Sequence, residues 1–519
     1  MLGFYPIAGA PIADAGTVTS APPVVVLPPV PPVVPVPDPT FESWLRGPVR
    51  FPVTLYEVSV NVGGTEITRY LSNQAYGGGD AANPYLAVVT GDLELDGKIS
   101  YDGAAQLSYG DITLDNTNGS LDSWLFDVWA NRRINVYVGD LRWARTSFKL
   151  MCSGWIGNVA PGSDQASIVL QFRDALQALN ASLSDATMAD GTTLRPIGFG
   201  EVPNFTPKLK TLGTREYEVH AGPIEDIIEV RVDGKPRNIT KNLSIGSFNL
   251  TEDVSPGMLT CSYQGDKGDG TYRNRIAPLI QRIVTAYGPA ATRLTASDID
   301  TDSFTAFDAA CPQPVGVAYS DRVNVIDACA QLASSKGAQL IPSRLGKLRL
   351  LQFNIPTSAT TEIRPSSQVG MKITAVKPFQ VAAAVKLGYC QNYTPEPNLI
   401  TSIPADNKQM MALDWRTVTS VDSTVQATYR LSAAPAAQVN TCLLVQTDAQ
   451  AEADRRRDIV KVPRLSYTFD GTPDTILLEL GQAVMLFNPR YQLQNGKPGL
   501  VTRFKANYGT LATTIEVTV

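Results

Sequence analysis

The chain has 519 residues, enough for several packed domains rather than one core. Hydrophobic residues make up 44% and charged residues 18%, with 40 glycines and 37 prolines, a balance that favours strands and turns over long charged helices. The net charge of -5, from 44 basic and 49 acidic residues with no basic tail, excludes phosphate-backbone recognition as the main task.

The opening MLGFYPIAGAPIADAG lacks the basic start and long apolar run of a signal peptide, so none is expected. No run of about 18 apolar residues is present to span a bilayer. The nearest candidate, APPVVVLPPVPPVVPVP, is broken by prolines that forbid a helix and favour polyproline II. At about 3.1 Å per residue, roughly 17 such residues reach on the order of 50 Å, which makes residues 22–39 a spacer or docking arm. The six cysteines, at 152, 261, 311, 329, 390 and 442, form no CxxC pair and read as buried thiols rather than metal or redox groups.

The first folded domain is expected near Phe51. FPVTLYEVSV, YLAVVT, GKISYD, AQLSYGDITLDN and RINVYVGD alternate apolar and polar residues and break at Gly, Asn or Asp, as sheet strands do. In GDITLDNTNGSLDSWLFDVWANRRINVYVGD, residues Asp115 to Gly119 suit side-chain-stabilised turns. Leu121, Trp124, Leu125 and Val128 then recur at helical spacing, predicting a short helix that buries them and leaves Asp122 and Asp127 toward solvent. Trp129 or Trp143, exposed at the edge of this corner, would suit a protein interface or a sugar platform.

KLMCSGWIGNVA and QASIVLQFRD continue the strand pattern, and a short helix is expected from Asp174. YEVH, IIEVRVDGKPR and GMLTCSY are further strands, with Asp233-Gly234 a hairpin turn. Then the period changes: Ile276, Leu279, Ile280, Ile283, Val284 and Tyr287 predict an amphipathic helix ended by Gly288. A second helix follows, capped by Ser320 or Asp321 and ended by Gly337, burying Val325, Cys329 and Leu332. GAQLIPSRLGKLRLLQF reads as a hairpin turning at Leu345 to Lys347. Strands resume over 369–389, TDAQAEADRRRDIVKV is helical with acids first and arginines last, and the final 60 or so residues alternate as an antiparallel β domain.

The expected fold is mainly β with an α+β insertion: multidomain, built of antiparallel β barrels or sandwiches. The segments are an arm over 1–50, a β-rich domain over 51–180, a strand-rich connector over 181–271, the α+β insertion over 272–354, a second β-rich domain over 355–450 and a small β domain over 451–519.

Candidate chemistry is sparse. The single histidine, His220, cannot supply a His-rich metal site, and no nucleophile is spaced to use it. Asp92, Glu94 and Asp96 could form a cation loop or paired carboxylates, but on a strand they share one solvated face while Leu93 and Leu95 enter the core, with Asp96-Gly97 as a turn. GDKGDGT, with Asp266 and Asp269, looks like half a calcium loop but lacks the closing Glu of an EF-hand. HExxH, GxSxG, P-loop and dinucleotide motifs are missing, so no catalytic, cofactor-binding or metal residue is assigned.

Taken together, LGFYPIAGAPIAD, the corner YGDITLDNTNGSLDSW with NRRINVYVGD, RNRIAPLIQRIVTAYG followed by SDRVNVIDACAQLASSKGAQLIPSRLGKLRL, and LELGQAVMLFNPRYQLQNGKPGLVTRFKANY carry a resemblance. The chain resembles baseplate or tail hub proteins of tailed bacteriophages, especially siphophage minor tail proteins. The resemblance covers most of residues 50–519 and implies a homotrimeric ring whose β-rich domains pair to match a sixfold tail tube. It further implies a place at the virion tail tip, contact with distal tail, tail tip, central fibre or tape measure proteins, DNA passing through the channel without sequence recognition, and no cofactor or catalysis. The long Pro/Val arm departs from the family's pattern. The alternatives are a distal tail or receptor-binding protein, and a glycan-binding or glycan-cleaving tail protein.

Overall fold

The computed structural model describes residues 39–519 apart from 80–82, 102–104, 211–212, 253–256, 397–398, 400–407, 409–410 and 433–436. The arm is therefore outside the described residues up to residue 38. The folded chain begins before Phe51, with helix α1 (Pro39–Arg46). Its Phe41, Trp44 and Leu45, spaced for one helical face, are buried.

The alternation after Phe51 serves two cores at once. In β1 (Pro52–Val62), Tyr56, Val58 and Val60 enter the main core, while Val53 and Leu55 face a smaller cluster with Tyr76, Tyr85 and Phe148. The next strands are β2 (Thr65–Ser72), β3 (Leu86–Ala87), β4 (Val89–Gly91), β5 (Glu94–Lys98), β6 (Gln106–Tyr109), β7 (Ile112–Asp115), β8 (Arg133–Asp140), β9 (Lys149–Pro161) and β10 (Ser167–Arg173). Among the described residues eight of these strands form one sheet in the order β3-β2-β1-β8-β9-β10-β7-β4. Its two end strands, β3 and β4, are separated only by Val88, whose carbonyl accepts from Asp115 N at 2.7 Å. One short segment thus joins both ends, and the sheet rolls into a nearly closed barrel.

β5 and β6 leave this barrel for a second large sheet. They precede a block of shorter elements: α2 (Ala175–Ala178), capped by the Asp174 side chain as expected, and β11 (Ile197–Phe205), β12 (Lys208–Leu209), β13 (Glu216–Glu218), β14 (Ile224–Val232), β15 (Lys235–Pro236), β16 (Ile239–Asn242), β17 (Ser247–Leu250) and β18 (Leu259–Asp266). Asp233 and Gly234 both have positive φ, +50° and +77°, which is the twist a two-residue hairpin requires. With β19 (Gly316–Tyr319), these strands make a five-stranded sheet, β15-β14-β18-β11-β19, and a four-stranded sheet, β12-β13-β17-β16.

The helices follow the predicted periodicity, with two corrections. α3 (Ile276–Ala286) buries Ile276, Leu279, Ile280, Ile283 and Val284. α5 (Val325–Ser334) starts at Asn324 rather than after Ser320 or Asp321, because the chain just before it is held extended against residues 182–183: Leu183 N donates to Val323 O at 2.8 Å and Asn324 bridges Ser182. Between them lies α4 (Thr301–Ala310), capped by Asp300 and burying Phe304 and Phe307, a helix too weakly patterned for periodicity to mark. β20 (Ala338–Pro342) and β21 (Leu348–Gln352) form the expected hairpin, with Gly346 at φ +76°.

The remaining strands are β22 (Thr361–Ile363), β23 (Thr374–Val376), β24 (Ala384–Tyr389), β25 (Arg416–Val421), β26 (Gln438–Asn440), β27 (Ser466–Gly471), β28 (Ala483–Leu486), β29 (Lys497–Asn507) and β30 (Ala512–Thr518). Their pairings cut across the segmentation read from the sequence. β22 and β23 join a sheet in the order β22-β28-β29-β30-β27-β23, whereas β24–β26 form their own sheet beside the helix Gln446–Val460 and share a core with α3–α5. Along one edge of β29, Lys497–Leu500 pair with β28 and Arg503–Asn507 pair with β5. The hairpin β5–β6 therefore stitches the two large sheets into a single hydrophobic core. The architecture is mixed α/β and dominated by antiparallel sheets.

Candidate functional site: a fixed corner on the first barrel

The polar run after β7 folds as a set of side-chain-to-backbone turns. Asp115 accepts from Thr117 N at 3.0 Å, Asn118 accepts from Ser120 N at 3.0 Å, and Gly119 sits at φ +70°. Buried Asn116 accepts from Leu121 N at 2.8 Å and donates to Asp122 at 2.7 Å. The predicted short helix is a 3-10 turn, Asp122–Phe126. Its tighter winding buries Leu121 and Trp124 but leaves Val128 half exposed, contrary to expectation.

Trp129 is buried, not exposed: its Nε1 donates to Trp124 O at 2.7 Å and its ring packs against Trp124. Trp143 is half-buried between Phe41 and Trp44, so neither tryptophan is the projecting group. That group is Phe126, 88% exposed, a residue that helical spacing passes over because it sits opposite the buried face.

Charged residues hold the corner in place. The Arg69 guanidinium lies over Trp124 at 4.0 Å and pairs with Asp127 at 2.5 Å, and Arg132 pairs with Glu66 at 2.8 Å. Val128, 50% exposed, bridges to Asn61 at the end of β1. On the other side of β1, Ile67 opposes Val60 and is 41% exposed. Beyond it β2 pairs with β3 only at Leu71 and Ser72, so among the described strands Thr65–Tyr70 have a free edge. Phe126, Val128 and Ile67 are thus exposed apolar side chains on segments tied to β1 and β2, and β2 has a free edge among the described strands.

The residues weighed for chemistry are engaged elsewhere. Asp92 accepts from Tyr56 OH at 2.8 Å, Glu94 pairs with Lys505, and Asp96 pairs with Arg503 at 2.6 Å. Asp96 and Gly97 lie within β5 and are not a turn, because β29 continues the ladder past them. Asp266 is buried and accepts from Arg282 Nε at 2.8 Å and Gly268 N at 3.0 Å, while Asp269 is gripped by Arg273 at 2.7 Å. Burial pushes the Asp266 carboxyl up, but the neighbouring His220 and the bond from Arg282 outweigh it and hold the group well below the usual range. His220 itself is buried, with Nδ1 accepting from Gly198 N at 3.0 Å and Nε2 3.7 Å from Asp266. All six cysteines are free and buried.

Among the described residues no group of three His, Cys, Asp or Glu gathers to hold a metal, and no helix is long and apolar enough to cross a membrane. One cleft of about 360 Å³ lies by the end of β11, lined by Phe205, Lys208, Tyr319, Asp321, Arg322 and Tyr393 among others.

No family model and no curated protein matches this sequence. Several solved structures are similar over much of the chain. A 43 kDa tail protein of prophage MuSo2 from Shewanella oneidensis is 10% identical, with a TM-score of 0.39, over 89% of this chain and 98% of its own. A tail protein from Neisseria meningitidis MC58 is 12% identical, with a TM-score of 0.35, over 89% and 95%. A chain from the virion of a native gene transfer agent particle is 12% identical, with a TM-score of 0.39, over 66% and 91%.

Proposed function

We propose that this chain is a structural component of a phage tail, and specifically a ring-forming hub at the tail tip. In that role copies of the chain join the tail tube and distal tail protein to the tip and line part of the channel through which DNA leaves. The resemblance read from the sequence motivates this, and the geometry of the first barrel supports it. Two large sheets share one core, and the Phe126 corner presents apolar side chains from a frame held by salt bridges and stacking. A homo-oligomeric ring is the simplest use of such a surface, since copies that repeat one contact around an axis cover every exposed corner. The role requires rigidity and no turnover, and no residue is assigned to catalysis.

The observation that carries the proposal is the exposure of Phe126 beside the free edge of β2. Replacing Phe126 with Asp tests it. The variant should fold with unchanged circular dichroism and lose self-association, whereas an unchanged oligomer would remove this corner from the interface.

A second reading has one observation in its favour. The cleft beside Phe205, Tyr319 and Tyr393 offers aromatic faces and polar groups of the kind that hold sugars, as a glycan-binding tail protein would need. Binding of host surface glycans that is lost in Tyr319→Ala would favour it.

A further inference from the structure

A ring of equivalent copies needs two faces on each chain, because a head-to-tail contact sets one patch of a copy against a different patch of the next. The Phe126 corner is one exposed apolar group, and a second lies on the other large sheet. There Val369, Met371 and Val376 are 54%, 59% and 47% exposed. Val376 ends β23, which pairs only with β27 among the described strands, so the outer edge of β23 is free.

The turn before β23 is pinned by its backbone while its apolar side chains project. Met371 N donates to Gln368 O at 3.0 Å, and Asn488 Nδ2 donates to Gln368 Oε1 at 2.6 Å and to Met371 O at 3.3 Å. Gly370 and Met371 both have positive φ, +61° and +53°, which is uncommon for a residue with a long side chain. A strained turn thus holds a large apolar side chain out in solvent.

Corner and patch are fastened at different ends of β1. The corner is tied in where Val128 bridges Asn61. Ser367, just before Val369, donates to Asp474 Oδ2 at 3.4 Å, and Arg46 of α1 lies 3.6 Å from the same oxygen. Trp44 of α1 donates in turn to Asp140 at 2.8 Å, and Asp140 pairs with Pro52. Pro52 and Asn61 are roughly 30 Å apart along the strand.

Charge distinguishes the ways in which two copies can meet. Residues 115–131 carry three acids and no base. Asp127 is paired with Arg69, which leaves Asp115 and Asp122 exposed without a cationic partner among the described residues. Residues 364–377 carry three bases and no acid. Arg364 is paired with Glu362, which leaves Lys372 and Lys377 exposed without an ion pair among the described residues. Corner on corner, or patch on patch, brings like charges together, whereas corner on patch brings opposite ones.

We propose that the patch of Val369, Met371 and Val376 receives the Phe126 corner of a second copy of this chain, with Lys372 and Lys377 meeting its acidic rim. This rests on the ring proposed above and supplies the other half of its contact.

The test mixes two blocked forms of the full-length chain. Phe126→Asp blocks the corner and keeps the patch. Met371→Asp blocks the patch and keeps the corner, and Asp tolerates the positive φ better than Met does. Circular dichroism should match the wild type in both. By native mass spectrometry each variant alone should be monomeric, and an equimolar mixture should give a two-copy species holding one of each, because only one contact can form and nothing further can add. Added NaCl should weaken the wild-type oligomer. A wild-type oligomer that survives Phe126→Asp would remove the corner and this pairing together. One lost with Phe126→Asp but kept with Met371→Asp would overturn the pairing alone. So would two monomeric variants whose mixture stays monomeric, the result expected if like patches meet.

Discussion

Glu452 shows what a single buried charge contributes here. It is fully buried on the helix Gln446–Val460 and meets Arg455 and Arg456 at 2.7 Å and Lys336 at 3.4 Å. Burial pushes its carboxyl up, but Arg455, Arg456 and Lys336 outweigh that and lower it to about 2. A carboxyl depressed in the folded state stabilises the fold above its unfolded pKa of about 4.3. That stability is lost as pH falls from there through about 2. Glu452→Gln should therefore cost about 3–5 kcal/mol at neutral pH, because it leaves three cations unbalanced. Urea melts at pH 7 and pH 3 check both points: the difference between wild type and variant should shrink at the lower pH. The acid-first, arginine-last order of this helix is legible in the sequence. The convergence on Glu452 is not, because Lys336 comes from the end of a different helix.

At the scale of elements, close approach and corner geometry set the constraints. Gly200 in β11 has φ +65°, and a Cβ there would collide with the Val315 carbonyl oxygen. Gly200→Ala should cost at least about 1–3 kcal/mol from backbone strain alone, measured as a drop in the urea midpoint. Phe126→Ser, in contrast, should change stability by less than about 0.5 kcal/mol, since the side chain is 88% exposed. Helices α3 and α5 are readable because their apolar residues recur at steps of three and four over about ten residues. α1 carries the same signal in Phe41, Trp44 and Leu45, but over too short a run beside the prolines to stand out. The sequence marks the corner as a turn yet misplaces its exposed residue. A 3-10 turn rotates side chains differently from the α-helix that the spacing suggests.

Over the whole molecule, the β5–β6 hairpin makes the two large sheets interdependent. Residues 94–98 pair with Arg503–Asn507, with Asp96 and Arg503 separated by 407 positions along the chain, and both large sheets bury one core. A fragment ending near residue 180 should therefore fail to fold alone, leaving β5 without its partner strand. Collapsed but poorly protected amides in hydrogen exchange would show this, and a stable isolated fragment would refute it. Local alternation marks many strands here but passes over β11, β19 and β25, and it cannot reveal which strands pair. Periodicity reports a residue's two faces and says nothing of the distant chain on either side, which is why 355–450 reads as one segment while its strands divide between two sheets.

A ring built through the exposed corner is tested most directly by the mass of the full-length protein in solution. Native mass spectrometry of the wild type alongside Phe126→Asp should show a three-copy species that dissociates in the variant. A wild type that stays monomeric at high concentration, or a three-copy species indifferent to Phe126→Asp, would contradict the ring.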